Sequence, residues 1–176
     1  WSKKGRVLDK LVSITGCKAF IRMPKSSPLK RKKKKRKISY RMQLEYERNT
    51  INWQRTEPLK LLMNEVETCG LIESGRIGFW QYRKELSTSQ LVISPFGWGE
   101  LNYRDFETFQ SGSALVKPSM HHLETWPNLY KPGETYVNYD WDLKNFIPII
   151  RKYLDDKEDR ERIAMQGQAC YANYFS

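Results

Sequence analysis

Three charged residues, Glu100, Arg104 and Glu107, set the first chemical question. Spacings of four and then three place them on one face of a helix. Just before them stands Pro95-Phe96-Gly97-Trp98-Gly99. Gly97 and Gly99 suit a loop that a ligand can approach closely. At the mouth of a sheet, one carboxylate of such a face can accept both hydroxyls of a ribose. The N–H groups of the Gly97–Glu100 loop can hold a diphosphate there. The same spacing also describes a solvent-facing Glu–Arg–Glu ladder, worth about a few tenths of a kcal/mol.

Two other groups carry possible chemistry. Asp140-Trp141-Asp142 is a D-x-D pair that could hold a divalent metal against a diphosphate, although Asp142 also serves as the cap of the next helix. His121 and His122 are the only histidines. They lack a third ligand at zinc spacing, so no metal site is expected. One of them could be a general acid or a phosphate donor, or both could be loop residues facing solvent. No Ser-His-Asp order stands out, and neither a P-loop nor a G-x-G-x-x-G is present.

The elements that must position these residues follow from hydrophobic spacing. Leu91–Ser94 is a short apolar run, and the 95–99 segment breaks it. Glu100–Ser111 carries Tyr103, Phe106 and Phe109 or Gln110 at helical spacing, with Gly112 as the stop. Ala114–Val116 is a second strand, so the region is a βαβ-type crossover. Upstream, Trp1–Gly16 is expected to be a short helix and Lys18–Met23 a strand. Ile38–Leu44 alternates as a strand, with a helix into Arg48 also open. Thr56–Glu67 is expected to be a helix capped by Thr56, with Pro58 in its first turn and Gly70 as its stop. Gly78–Thr88 repeats the form, with Phe79, Tyr82 and Leu86 on one face. Thr135–Val137 is expected to be the last strand. Leu143–Leu154 is expected to be a helix capped by Asp142 and kinked at Pro148, and Asp156–Phe175 a helix with an acidic start. This quick alternation predicts an α/β layer architecture with a parallel sheet.

The 176 residues suit one domain with a buried core. The chain begins at Trp1, which is expected of a fragment or an excised domain. The net charge is +11, and Lys30–Lys37 supplies eight positive residues, leaving +3 for the rest. A mobile basic loop is expected at 24–37. Such a run is either a solvated insertion or a polyanion-binding or import signal, non-specific and salt-sensitive. Cys17, Cys69 and Cys170 lack C-x-x-C spacing and are expected to be reduced packing residues in a cytosolic compartment. No apolar stretch approaches the ~20 residues of a membrane span.

The motifs in their order resemble a known family. SPFGWGELNYRDFETFQSGSALVKPSMHHLETWPNLYKPGETYV, followed by WDL and an ending DKEDRERIAMQGQACYANYF, is similar to the C-terminal domain of group 1 glycosyltransferases of the GT-B fold. The branch it looks most like carries SPFGWGE and YRDFE. The match runs from Phe79 to Ser176. The resemblance implies a Rossmann-like parallel sheet flanked by helices, the GT-B C-terminal half, ending in two helices. It also implies transfer of a sugar from a nucleotide-sugar, with no cofactor and no metal, and an acceptor domain outside this chain.

Within that resemblance, Glu107 matches the glutamate that holds the donor ribose. Gly97, Trp98 and Gly99 match the segment lining the nucleotide-sugar. Arg104 and Lys117 are further candidates for donor binding, and Glu100 and His122 are the catalytic candidates. Asp105 and Glu124 belong to the same repeated segments. The wider family has two glutamates eight apart, whereas here Gly99 stands eight before Glu107 and Glu100 seven. The family's diphosphate-gripping Arg and Lys have no match in Trp1–Thr50. The alternative from another class is a non-catalytic polyanion-binding or scaffold module using Lys30–Lys37.

Overall fold

A computed structural model describes residues 32–65 and 72–175. The helix expected in Trp1–Gly16, the strand expected at Lys18–Met23, the loop from Pro24 into the basic run, Cys17, Cys69 and the Gly70 stop lie outside the described residues.

Strands and helices alternate through the described chain. In order they are β1 (Arg36–Tyr40), α1 (Asn49–Asn64), β2 (Ile72–Ser74), α2 (Phe79–Thr88), β3 (Ser89–Ile93), α3 (Tyr103–Ser111), β4 (Ala114–Pro118), β5 (Val137–Tyr139), α4 (Phe146–Asp155) and α5 (Lys157–Phe175). The five strands form one parallel sheet in the order β2-β1-β3-β4-β5. Ile38 of β1 stands beside both Ile72 and Leu91, and Val116 of β4 beside Ile93 and Val137. The fold is the expected α/β, Rossmann-like architecture ending in two helices.

Strand alternation divides the core in two. One face presents Ile38, Tyr40, Leu91, Ile93, Val116 and Tyr139 to α1 and α4 through Leu62, Phe146 and Ile150. The other presents Leu115 to a cluster with Phe109 of α3, Tyr136 and Tyr171 of α5. Each fully buried apolar side chain of this kind contributes roughly 1.5–3 kcal/mol. The last helix serves both clusters, with Ile163 in the first and Tyr171 in the second. Its Gly167 has no room for a side chain. A Cβ there would lie 2.6 Å from the Thr135 carbonyl and 2.9 Å from the Phe109 ring.

Several element boundaries differ from expectation. α1 starts at Asn49, so Pro58 lies mid-helix and Thr56 donates its hydroxyl to the Asn52 carbonyl rather than capping. Pro58 is buried, and its packing offsets the missing N–H bond. α3 starts at Tyr103, three residues late, because Asn102 and Asp105 form its cap: the Asp105 carboxylate accepts the Asn102 N–H at 3.2 Å. Its stop at Gly112 is as expected, with φ of 65°. β5 begins two residues late. α4 begins at Phe146, which puts Pro148 in the first turn, where no N–H is needed. Asp142 does not cap it; its carboxylate takes the Lys144 N–H and ammonium. The basic run does not end outside the fold. Arg36 and Lys37 open β1, and Lys34 donates to the Ser87 carbonyl and the Ser113 hydroxyl. Among the described residues, no helix is long and apolar enough to cross a membrane.

Candidate functional site at the carboxyl edge of the sheet

The strand order reverses between β1 and β3. β1 leads to α1 on one face of the sheet, and β3 leads to α3 on the other. A crevice therefore opens at the carboxyl ends of these two strands, the position where open α/β sheets bind ligands. Its walls are residues 41–48 and 94–102.

Arg55 of α1 joins the two walls. Its Nε donates to the Phe96 carbonyl at 3.3 Å, and its Nη1 donates to the Gln43 carbonyl at 3.0 Å and the Tyr46 hydroxyl at 2.7 Å. The guanidinium also lies over the Tyr46 ring. Burial lowers its pKa, and the nearby Arg104 charge adds to that. The loop packs closely here: a Cβ on Gly97 would meet the Arg55 guanidinium and the Asn102 side chain. Its N–H bonds the Gly99 carbonyl, so it is spent inside the loop, whereas Gly99 faces open space. Trp98 stands 70% exposed, with Arg48 4.7 Å above its ring.

Glu100 lies in the loop and not on α3, so the expected ladder on one helix face reduces to Arg104 and Glu107. Arg104 is half-buried, and its Nε has no hydrogen-bond partner. Its charge opposes the burial that raises the pKa of Tyr40 and of Tyr82. Glu107 is half-buried beside it and accepts the Tyr82 O–H on Oε2 at 2.8 Å. Burial raises the Glu107 pKa, while Tyr82, Arg104 and Arg83 pull it down. Arg104 thus interacts with Arg55 on one side and with Glu107 and Tyr82 on the other.

Lys117 sits beneath this site. It is fully buried, 3.0 Å from Asp105 Oδ2 and 4.9 Å from the Phe96 ring centroid. Burial lowers its pKa and Asp105 opposes the shift. Tyr130 donates to the same carboxylate oxygen at 2.8 Å. Lys117 therefore has no surface for a ligand and acts on the site through Asp105, which fixes the start of α3.

Glu100 and His122 come together at the rim, with His122 Nε2 3.9 Å from Glu100 Oε1. The Trp141 ring meets His122 edge-on at 4.9 Å, and its Nε1–H donates to the Ser119 carbonyl. Beside them is a cavity of about 60 Å³ between Trp53, Phe96, Trp141 and Leu143. His121 faces Ser119, with Nδ1 to Oγ at 2.8 Å. The Asp140 carboxylate accepts the Asn145 amide N–H and the Asp140 backbone N–H donates to Asn145 Oδ1, so each aspartate of the D-x-D pair has a local partner. Among the described residues, no three His, Cys, Asp or Glu side chains gather. Glu124 is exposed.

Sequence reasoning missed Arg48, Arg55 and Tyr82. Arg48 and Arg55 are seven residues apart, about two helical turns, a signal concealed by starting the helix at Thr56. No family model matches the chain, and no curated protein matches it.

Proposed function

We propose that this chain is the donor-binding domain of a glycosyltransferase, taking a nucleotide-sugar in the crevice between β1 and β3. The observation that carries this reading is the convergence of Arg55, Arg104 and the α3 N-terminus beside Glu107 at the point where the strand order reverses. A diphosphate suits the guanidinium groups and the helix end. A ribose hydroxyl suits the carboxylate. In transfer, the bond from the anomeric carbon to the diphosphate oxygen breaks and one to the acceptor oxygen forms. The arginines and the helix N–H groups stabilise the departing diphosphate. His122, held against Glu100, is placed to exchange a proton at the rim. The acceptor belongs to a second domain, and catalysis requires the cleft between the two.

Calorimetric titration with uridine and guanosine diphosphates tests the reading. Saturable binding that Glu107→Ala weakens about tenfold or more supports it. Absence of saturable binding, or affinity untouched by the substitution, overturns it. Binding to RNA or anionic liposomes that vanishes when Lys30, Arg31, Lys32 and Lys33 are replaced by alanine, which leaves β1 and the Lys34 anchor intact, with no nucleotide binding, supports the scaffold alternative instead.

A further inference from the structure

Tyr82 reaches Glu107 from another helix. It sits on α2, Glu107 sits on α3, and the two helices pack together. The phenol donates to Oε2 at 2.8 Å, which leaves Oε1 to accept from another donor. We infer that Tyr82 is a positioning residue for Glu107: its hydrogen bond fixes the carboxylate in the crevice and keeps it charged for a sugar hydroxyl. This inference rests on the donor-site reading above.

The physical need is specific. A carboxylate buried to this degree tends to hold its proton, and a protonated acid is a poor acceptor for a hydroxyl. The charged and titratable groups that face Glu107 are Tyr82 and Arg83 from α2, Arg104 from its own helix and Tyr171 from α5. Of these, Tyr82 makes the direct hydrogen bond. The phenol cannot relieve itself by ionising, since burial raises its own pKa. Its proton therefore stays in the bond across the working pH range. Arg104 meets the phenol oxygen as well, so Tyr82 stands between a guanidinium and the carboxylate it orients.

The test reads Glu107 itself. Carboxyl ¹³C NMR follows its titration in the wild type and in Tyr82→Phe, with the resonance assigned through Glu107→Gln. Uridine diphosphate affinity is measured on the same proteins from pH 5 to 8. The expected result is a higher Glu107 midpoint in Tyr82→Phe, and nucleotide affinity that falls about tenfold further at the acid end than in the wild type. Site-specific 3-fluorotyrosine at position 82, a stronger donor in an unchanged fold, is expected to move the midpoint down; it serves as the readout should Tyr82→Phe not fold. Midpoints unmoved in both variants overturn the inference, whether or not nucleotide binds. Moved midpoints with no nucleotide binding by the wild type leave the positioning of Glu107 supported and overturn the donor-site reading.

Discussion

Two arginine clusters flank β1, and they are resolved in opposite ways. On the β2 side, Arg36 and Arg41 both meet Glu73, and Arg41 also meets Glu85 at 2.8 Å. Glu85 is almost fully buried and takes the Ser39 hydroxyl as well. On the β3 side, Arg55 bonds two carbonyls and a phenol, and Arg48 lies over an indole. Among the described residues, no carboxylate lies within ion-pair distance of Arg48, Arg55 or Arg104. Tyr40, the last residue of β1, and Arg41 just after it supply the divide. Tyr40 donates to the Arg55 carbonyl on one face, and Arg41 reaches Glu85 on the other. The first cluster neutralises itself and stabilises the fold. The second keeps its positive charge unpaired by a carboxylate, as the proposed donor site requires and a structural ion network with the same side chains does not.

Substitutions can separate the two clusters. The largest expected effect is that of Glu85→Ala, which strips half-buried Arg41 and buried Ser39 of their shared acceptor. It should cost about 3 kcal/mol in urea unfolding, with nucleotide affinity per folded molecule unchanged. Loss of affinity at equal folded fraction would show that the clusters are not independent. Next is Arg55→Gln, which should weaken uridine diphosphate binding by roughly 1.5–3 kcal/mol, read by calorimetry, while far-ultraviolet circular dichroism stays native. An affinity equal to the wild type would assign Arg55 to the structural class. The smallest effect is that of Glu107→Gln on stability. A carboxyl whose folded pKa is raised favours folding below its unfolded value, and that contribution fades as pH rises through the folded value. Glu107→Gln should therefore gain stability relative to wild type at pH 8 and lose this advantage at pH 4, in paired urea titrations. A variant less stable than wild type at pH 8 would place Glu107 with Glu85 as a structural partner.

What the sequence disclosed depended on how local each signal was. The α3 stop was legible because Gly112 alone decides it. The α3 start was misplaced because its cap is Asn102 with an aspartate three residues on, an uncommon variant of the capping box. That error carried Glu100 onto a helix it does not join. β2 went unseen because Ile72–Ser74 is too short for any periodicity. Lys117 belongs to a strand buried at all five positions, so alternation could not show that its ammonium turns inward to Asp105. Glu107 was identified by motif, whereas its partner Tyr82 lies 25 residues away and is joined to it only by helix packing. Arg55 was hidden by Pro58, which reads as a helix start and is in fact interior.

The three bonds of Arg55 have a consequence for affinity as well as for charge. They hold residues 43, 46 and 96 at a set separation. Immobilising a long side chain on binding costs about 0.5–1.5 kcal/mol, and here that ordering is completed during folding. In the proposed donor site, a slot whose width these bonds set should select by which molecules fit and depart slowly.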